Sequence, residues 1–255
     1  RYDEHDGVIN SDARMTYSPV NAIVAEHDAP ARAEYRELVP MFEMMHELFG
    51  ILHQRRRRRG SIDFDLPEAE VILTEYGEIE AIIASERNVA HRLIEEFMLL
   101  ANETVAAHLV EQDVPCLHRV HEAPDVKKVA DFEAFITTLG YSLGGGMTPQ
   151  PKHFQKLIDR MRGKPEERPI AALMLRTMQK AKYDAVSVGH FGLAAEHYTH
   201  FTSPIRRYPD LVVHRMLRES RQGRLTQARR EELEDDLPEV ARHTSEMERR
   251  ADEAE

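Results

Sequence analysis

At 255 residues with 42% apolar side chains, the chain can build a real core as one large domain or two small ones. Its single cysteine, Cys116, excludes an internal disulfide framework and a multi-cysteine zinc site, which leaves packing as its role and a reducing cytoplasm as the expected compartment. The net charge of -11 argues against phosphate binding over the whole surface. The charge is uneven, however: acids gather in segments such as "REELEDDLPE" (Arg230 to Glu239) and cations in "RRRRR" (Arg55 to Arg59). An acidic exterior around a locally basic groove is compatible with an RNA strand entering a channel. No apolar run approaches the length of a membrane span and no charged-then-apolar leader is visible, so a soluble protein is expected. The opening without Met and the charged, helical-looking end read as a piece of something longer.

From the N-terminus, "DGVINSDARMTYSPVNAIVA" predicts strand and loop. From about Ala31 to Arg59, Tyr35, Leu38, Val39, Phe42, Met45, Leu48 and Leu52 recur at the helical period, with Pro40 expected to break or kink the run and Gly60 to end it. Ala69 to Thr74 and Ile79 to Ala84 read as a hairpin. A long helix is predicted from Ser85, its N-cap, to about Val110, with Asn88, Arg92, Glu95 and Asn102 forming a polar stripe opposite Val89, Leu93, Phe97 and Leu100. "CLHRVHEA" is an extended connection between Pro115 and Pro124. Helices are predicted after Pro124, over Pro151 to Met161, around Ile170 to Tyr183, and from Pro209 onward with a break near Gly223. The Gly144 to Gly146 run is a loop without the strand-to-helix context or Lys of a phosphate-binding loop. "AVSVGHFGLA" reads as strand and turn. The whole is a mixed α/β domain in which helices predominate.

The stretch "HFTSPIRRYPD" holds the densest chemistry. Pro204 and Pro209 keep Arg206 and Arg207 out of a smooth helix. Thr202 and Ser203 supply hydroxyls, and His200, Phe201 and Tyr208 supply flat surfaces. Because a guanidinium fork matches phosphate oxygens, these residues can form a phosphate clamp with stacking partners. They can equally form surface ion pairs on a loop shaped by prolines, and the residues alone leave both readings open. The Arg55 to Arg59 block is likewise either a source of backbone attraction or an exposed basic helix end.

"GHFGLAAEHYTHFTSPIRRYPDLVVHR" (Gly189 to Arg215) resembles the signature of the ribonuclease II and ribonuclease R family of processive 3′-to-5′ exoribonucleases. "SDARMTY" (Ser11 to Tyr17), "RRRRRGSIDFDLPEAEVIL" (Arg55 to Leu73) and "ERNVAHRLIEEFMLLANETVA" (Glu86 to Ala106) fit the same catalytic domain in order, nearer its ribonuclease R branch. The resemblance implies an RNB-type fold, a mixed sheet with helices lining an RNA channel, with residues 1–255 forming the later part of that domain. It implies a cytoplasmic enzyme that hydrolyses single-stranded RNA to nucleoside 5′-monophosphates.

Residue by residue, the resemblance places Tyr17 near the last nucleotide, where it helps set product length, and Phe64 as an aromatic stacking on the same side of the channel. Glu95 falls near the terminal ribose, which moves the polar stripe from solvent to channel. Arg206 becomes the catalytic arginine on the scissile phosphate, with His200, Thr202, Ser203, Arg207 and Tyr208 as RNA-binding neighbours. The cofactor implied is Mg²⁺, held by an aspartate cluster expected outside this chain; Asp63 and Asp65 of "DFD" match non-catalytic positions. Single-stranded RNA and the missing part of the domain are the expected partners, with a monomeric parent and no membrane. The competing readings are a non-catalytic RNA-binding protein of the same fold and a helical adaptor whose arginine loop docks on an acidic partner.

Overall fold

The computed structural model describes residues 7–63, 69–84 and 87–254. Helix α1 (Tyr17–Asn21) runs into a π-helical turn (Ala22–Glu26), where strand and loop were expected. Its β-branched residues explain the difference: Ile23 and Val24 are buried against Val39 and Phe42, and that packing outweighs their strand preference. Helices α2 (Ala29–Glu34) and α3 (Val39–Arg59) divide the next region. The chain breaks before Pro40, which occupies the first turn of α3, where its missing donor costs nothing. Gly60 closes α3 at φ 99°, and a Cβ there would come within 2.8 Å of Lys152 Cβ, so only glycine suits both the turn and the approach.

Strands β1 (Ala69–Leu73) and β2 (Ile79–Ala84) form the expected antiparallel hairpin, with a register shift between Ile72 and Leu73. Helix α4 (Val89–Glu111) begins three residues after the expected region, because Asn88, whose side chain accepts from the backbone of Ala90 and His91, is its N-cap. Ser85 lies outside the described residues. Strand β3 (His118–Val120) is followed by α5 (Val126–Thr138), α6 (Pro151–Met161) and α7 (Glu167–Thr177). Tyr183, expected to end α7, instead lies in β4 (Lys182–Asp184), paired antiparallel with β3 at Arg119 and held by Ser245 Oγ on its backbone NH. Beyond this two-stranded ribbon, an isolated parallel bridge joins His121 to His190 and an isolated antiparallel one joins His190 to Ala195. Helices α8 (Tyr208–Arg221) and α9 (Gln227–Asp252) complete the chain and separate near Gly223 as expected.

Two main cores result. One joins the second half of α4 to β3, β4, α8 and α9 through Leu109, Leu117, Val213, Met216 and Leu237. Cys116 packs within it, and burial pushes its thiol up to about 12. The other joins α5, α6 and α7 through Phe132, Ile136, Phe154, Met161, Ile170 and Met174. Helix α4 also packs on α3 and α1, so it is the beam along which the following groups are arranged. No helix among the described residues is long and apolar enough to cross a membrane.

Candidate nucleic-acid interface

The loop between Thr199 and Tyr208 is fixed from beneath. Thr199, buried, donates its hydroxyl to Leu117 O at 2.6 Å. Asn102, buried on α4, accepts from Phe201 NH at 3.0 Å and donates to the Tyr198 hydroxyl at 3.0 Å. From α8, His214 reaches Phe201 O at 2.9 Å and stacks on the Phe201 ring at 4.1 Å. Asp210, fully buried, accepts from Ser203 NH at 2.7 Å and from an Arg207 Nη at 2.8 Å. Arg207 Nε also stands 2.8 Å from Asp210 Oδ2, but without hydrogen-bond alignment, so that approach is Coulombic.

The two arginines therefore differ. Arg207 is committed to Asp210, whose charge offsets its own. Arg206 is exposed, and its guanidinium donates to Ser203 Oγ at 3.2 Å, beside backbone bonds from Arg206 and Arg207 to Ser203 O. Half-exposed Tyr208 stands next to it at the start of α8. Both line an open groove of about 780 Å³, whose far wall is α9 with His243, Thr244 and Met247. Thr202 is half-buried in the loop. His200 turns inward: its Nδ1 lies 2.8 Å from the Tyr183 hydroxyl and its ring meets Tyr183 and Tyr198 edge-on. Burial, then Arg207 and Arg119, lowers its pKa to about 3, so its imidazole is neutral near pH 7.

A second group lies at the start of α4. Tyr17, 44% exposed, stacks on His91 at 3.8 Å. Glu95 accepts from Arg87 at 2.6 Å, and Arg87 also reaches Asp63 at 3.2 Å. Burial would raise the Asp63 carboxyl, but Arg87 and Arg56 outweigh it and hold it below the usual range. Phe64 and Asp65 lie outside the described residues. At 1.5 Å per residue, His91 and Asn102 are about 16 Å apart along α4, so Tyr17 and Arg206 belong to separate stations on one helix.

The arginine block is largely consumed internally. Arg56 is buried and donates to Glu96 at 2.8 Å and Ser61 at 3.1 Å. Arg57 pairs with Asp159 and Arg59 with Glu103, leaving Arg55 and Arg58 without an ion pair among the described residues. The buried acid of α4 is thus Glu96, next to the Glu95 that the sequence singled out. Asp210 was visible three residues after Arg207, in the first turn of a helix. Glu96 had no comparable signal, since its partner is 40 residues away.

Among the described residues no metal site is formed. The described residues contain no group of three or more His, Cys, Asp or Glu side chains that could hold an ion, and Asp63 is engaged by two guanidinium groups. No catalytic step can be built through a metal on these residues.

The RNB domain model matches residues 1–222. The chain belongs to the RNB family. Among RNB relatives, ribonuclease R of Aquifex aeolicus is 49% identical over 259 residues, covering all of this chain and 36% of that protein. Ribonuclease R 1 of Lactococcus lactis is 42% identical over 255 residues, covering all of this chain and 31% of that protein. The structure of Mycoplasma genitalium RNase R in complex with ribose-methylated single-stranded RNA matches at a TM-score of 0.81 and 27% identity, over 91% of this chain and 36% of that one. The chain thus spans about a third of the length of its RNB relatives.

Proposed function

We propose that this chain is the RNA-holding part of an Mg²⁺-dependent, processive 3′-to-5′ exoribonuclease that releases nucleoside 5′-monophosphates from single-stranded RNA in the cytoplasm. The observation that carries the reading is Arg206: an exposed guanidinium at the edge of a groove, on a loop held by buried Asp210, Asn102 and Thr199. A charge positioned in this way can meet the oxygens of a scissile phosphate as negative charge develops there, with little reorganisation. Ser203 and Arg207 orient the loop, Tyr208 offers a face to a base, and His200 and Thr202 shape its floor. Tyr17 grips bases at the other station, and the resemblance assigns Phe64 the same role; stacking supplies about 1–3 kcal/mol per base without reading sequence. Glu95 offers a carboxylate to the ribose 2′-hydroxyl, a contact that favours RNA over DNA. Mg²⁺ would supply the hydrolytic chemistry from ligands outside this chain. The parent acts as a monomer, and the remainder of its catalytic domain is the chain's partner.

The test is direct. Anisotropy of a 5′-labelled single-stranded RNA with the purified chain should give an affinity that falls steadily with salt. Incubation with Mg²⁺ should leave the RNA at full length. Absence of binding at low salt overturns the RNA reading, and a descending ladder overturns the assignment of the metal ligands to another segment.

A further inference from the structure

Helix α1 is too short to hold a ring by itself. It has five residues, no fully buried side chain and no side-chain cap at Thr16, and so short a helix is marginal without tertiary support. Yet Tyr17, its first residue, is set in one definite place: its ring lies 3.8 Å from the ring of His91, 26° from parallel. At the other end of α1, Asn21 Oδ1 accepts from the backbone NH of Val89 at 3.2 Å. Both ties run to the first turn of α4.

His91 is itself held. Asn88 Oδ1 accepts from the backbone NH groups of Ala90 at 3.0 Å and His91 at 3.2 Å, which fixes the end of that amide turned to the helix. His91 Nδ1 lies 2.8 Å from the same oxygen, so Nδ1 carries the hydrogen and donates it. The imidazole is thereby locked in orientation by the residue that caps α4. Apart from Asn88 and Tyr17, the described residues give the His91 side chain no polar or ring partner. Tyr17 covers a face of the imidazole and, at 44% exposure, keeps ring surface open to solvent. Glu95 follows one turn beyond His91 on the same side of α4. We infer that His91 is the positioning residue of Tyr17: it sets the tyrosine ring in advance, so that a base stacks on the open surface of a ring already ordered. The inference rests on the reading of Tyr17 as a base-stacking residue. Without this platform each incoming base would have to order the ring, and that cost would be taken from the stacking energy.

The test is a double-mutant cycle in a protein carrying the complete catalytic domain. Its readout is the dissociation constant of a short single-stranded RNA, measured by anisotropy with metal withheld so that no RNA is consumed. Tyr17→Ala should weaken binding by about fivefold or more, the lower end for one stacked base. His91→Ala should weaken it by about two- to tenfold, the range for an aromatic pair, and should have no further effect in the Tyr17→Ala background. His91→Phe keeps a flat ring without the bond to Asn88 and should recover most of the affinity. Should His91→Ala not fold, His91→Gln, which keeps a donor for Asn88 but removes the ring, enters the same cycle with the same expected result. A loss of equal size in both backgrounds makes His91 a structural residue of α4 and overturns the inference. So does a His91→Ala protein that binds like its parent while Tyr17→Ala does not. Failure of the functional reading looks different: the unsubstituted protein holds no RNA, or Tyr17→Ala leaves the affinity unchanged, and the inference falls with it.

Discussion

Arg206 and Arg207 are adjacent and chemically alike, yet Asp210 makes them different. Arg206→Ala removes an exposed charge that supports no buried group, so the fold should persist. In a protein carrying the complete catalytic domain, turnover should fall by about 10²–10³, the usual cost of losing an electrostatic donor at a reacting centre. Single-turnover rates and RNA affinity measured side by side check this, and equal losses in both would place Arg206 in ground-state binding alone. Asp210→Ala has the opposite profile. It strips buried partners from Ser203 NH and Arg207, and breaking a buried pair costs about 3–5 kcal/mol. Urea denaturation should show that loss, while a midpoint within error of the parent would deny Asp210 its anchoring role. Tyr17→Ala should alter the length of the limit product with little loss of stability, because its ring is half exposed on His91; a gel of end products reads it.

At the scale of elements, the two-station arrangement depends on how α3 and α4 are locked together. Arg56 from α3 meets Glu96 from α4 within a buried cluster that includes Ser61, with His53 also 2.9 Å from Glu96. Glu96→Leu leaves Arg56 buried without its main partner and should destabilise the chain by about 3–5 kcal/mol. Adding Arg56→Met should recover much of that loss, because a packed apolar pair carries no uncompensated charge. Denaturation midpoints of the singles and the double measure the coupling, and additive losses would show that the pair is not a unit. This lock also marks the limit of what the residues disclosed. The start of α6 was legible because Pro151 signals it locally, and the arginine loop because its two prolines and hydroxyls are contiguous. The π-helical turn was not legible, since Ile23 and Val24 become helical only through packing on α3. Nor was the choice between Glu95 and Glu96, which depends on where a helix 40 residues earlier sets Arg56.

Across the whole molecule, buried histidines behind the arginine loop tie stability to pH. Burial, with His197 adding to it and Asp184 opposing it, lowers His118 to about 4. Burial, then His121 and Arg119, lowers His190 to about 3, and His200 is lowered to about 3 by burial, Arg207, Arg119 and His190. All three are neutral in the folded chain at pH 6.5, where an unfolded histidine is half protonated. The unfolded state therefore binds more protons throughout the window from about 6.5 down to about 3, and stability falls as pH falls through it. Their contribution is fully present above 6.5 and declines by at most about 1.4 kcal/mol per pH unit per group. Asp63 acts in the same direction at lower pH, since its depressed carboxyl loses its contribution as pH drops below 3.8. Urea midpoints at pH 7.5, 6.0 and 5.0 should decline in that order, and His190→Gln should reduce the slope by the share of one group. The loss falls on the β3–β4 ribbon and the adjoining bridges behind residues 199–208, so acid should loosen the Arg206 loop before α5 to α7, whose core contains none of these histidines. Hydrogen exchange at pH 5 separates the two: earlier loss of protection at Phe201 and Ser203 than at Phe154 and Ile170 is expected, whereas simultaneous loss would make acid unfolding a single global event.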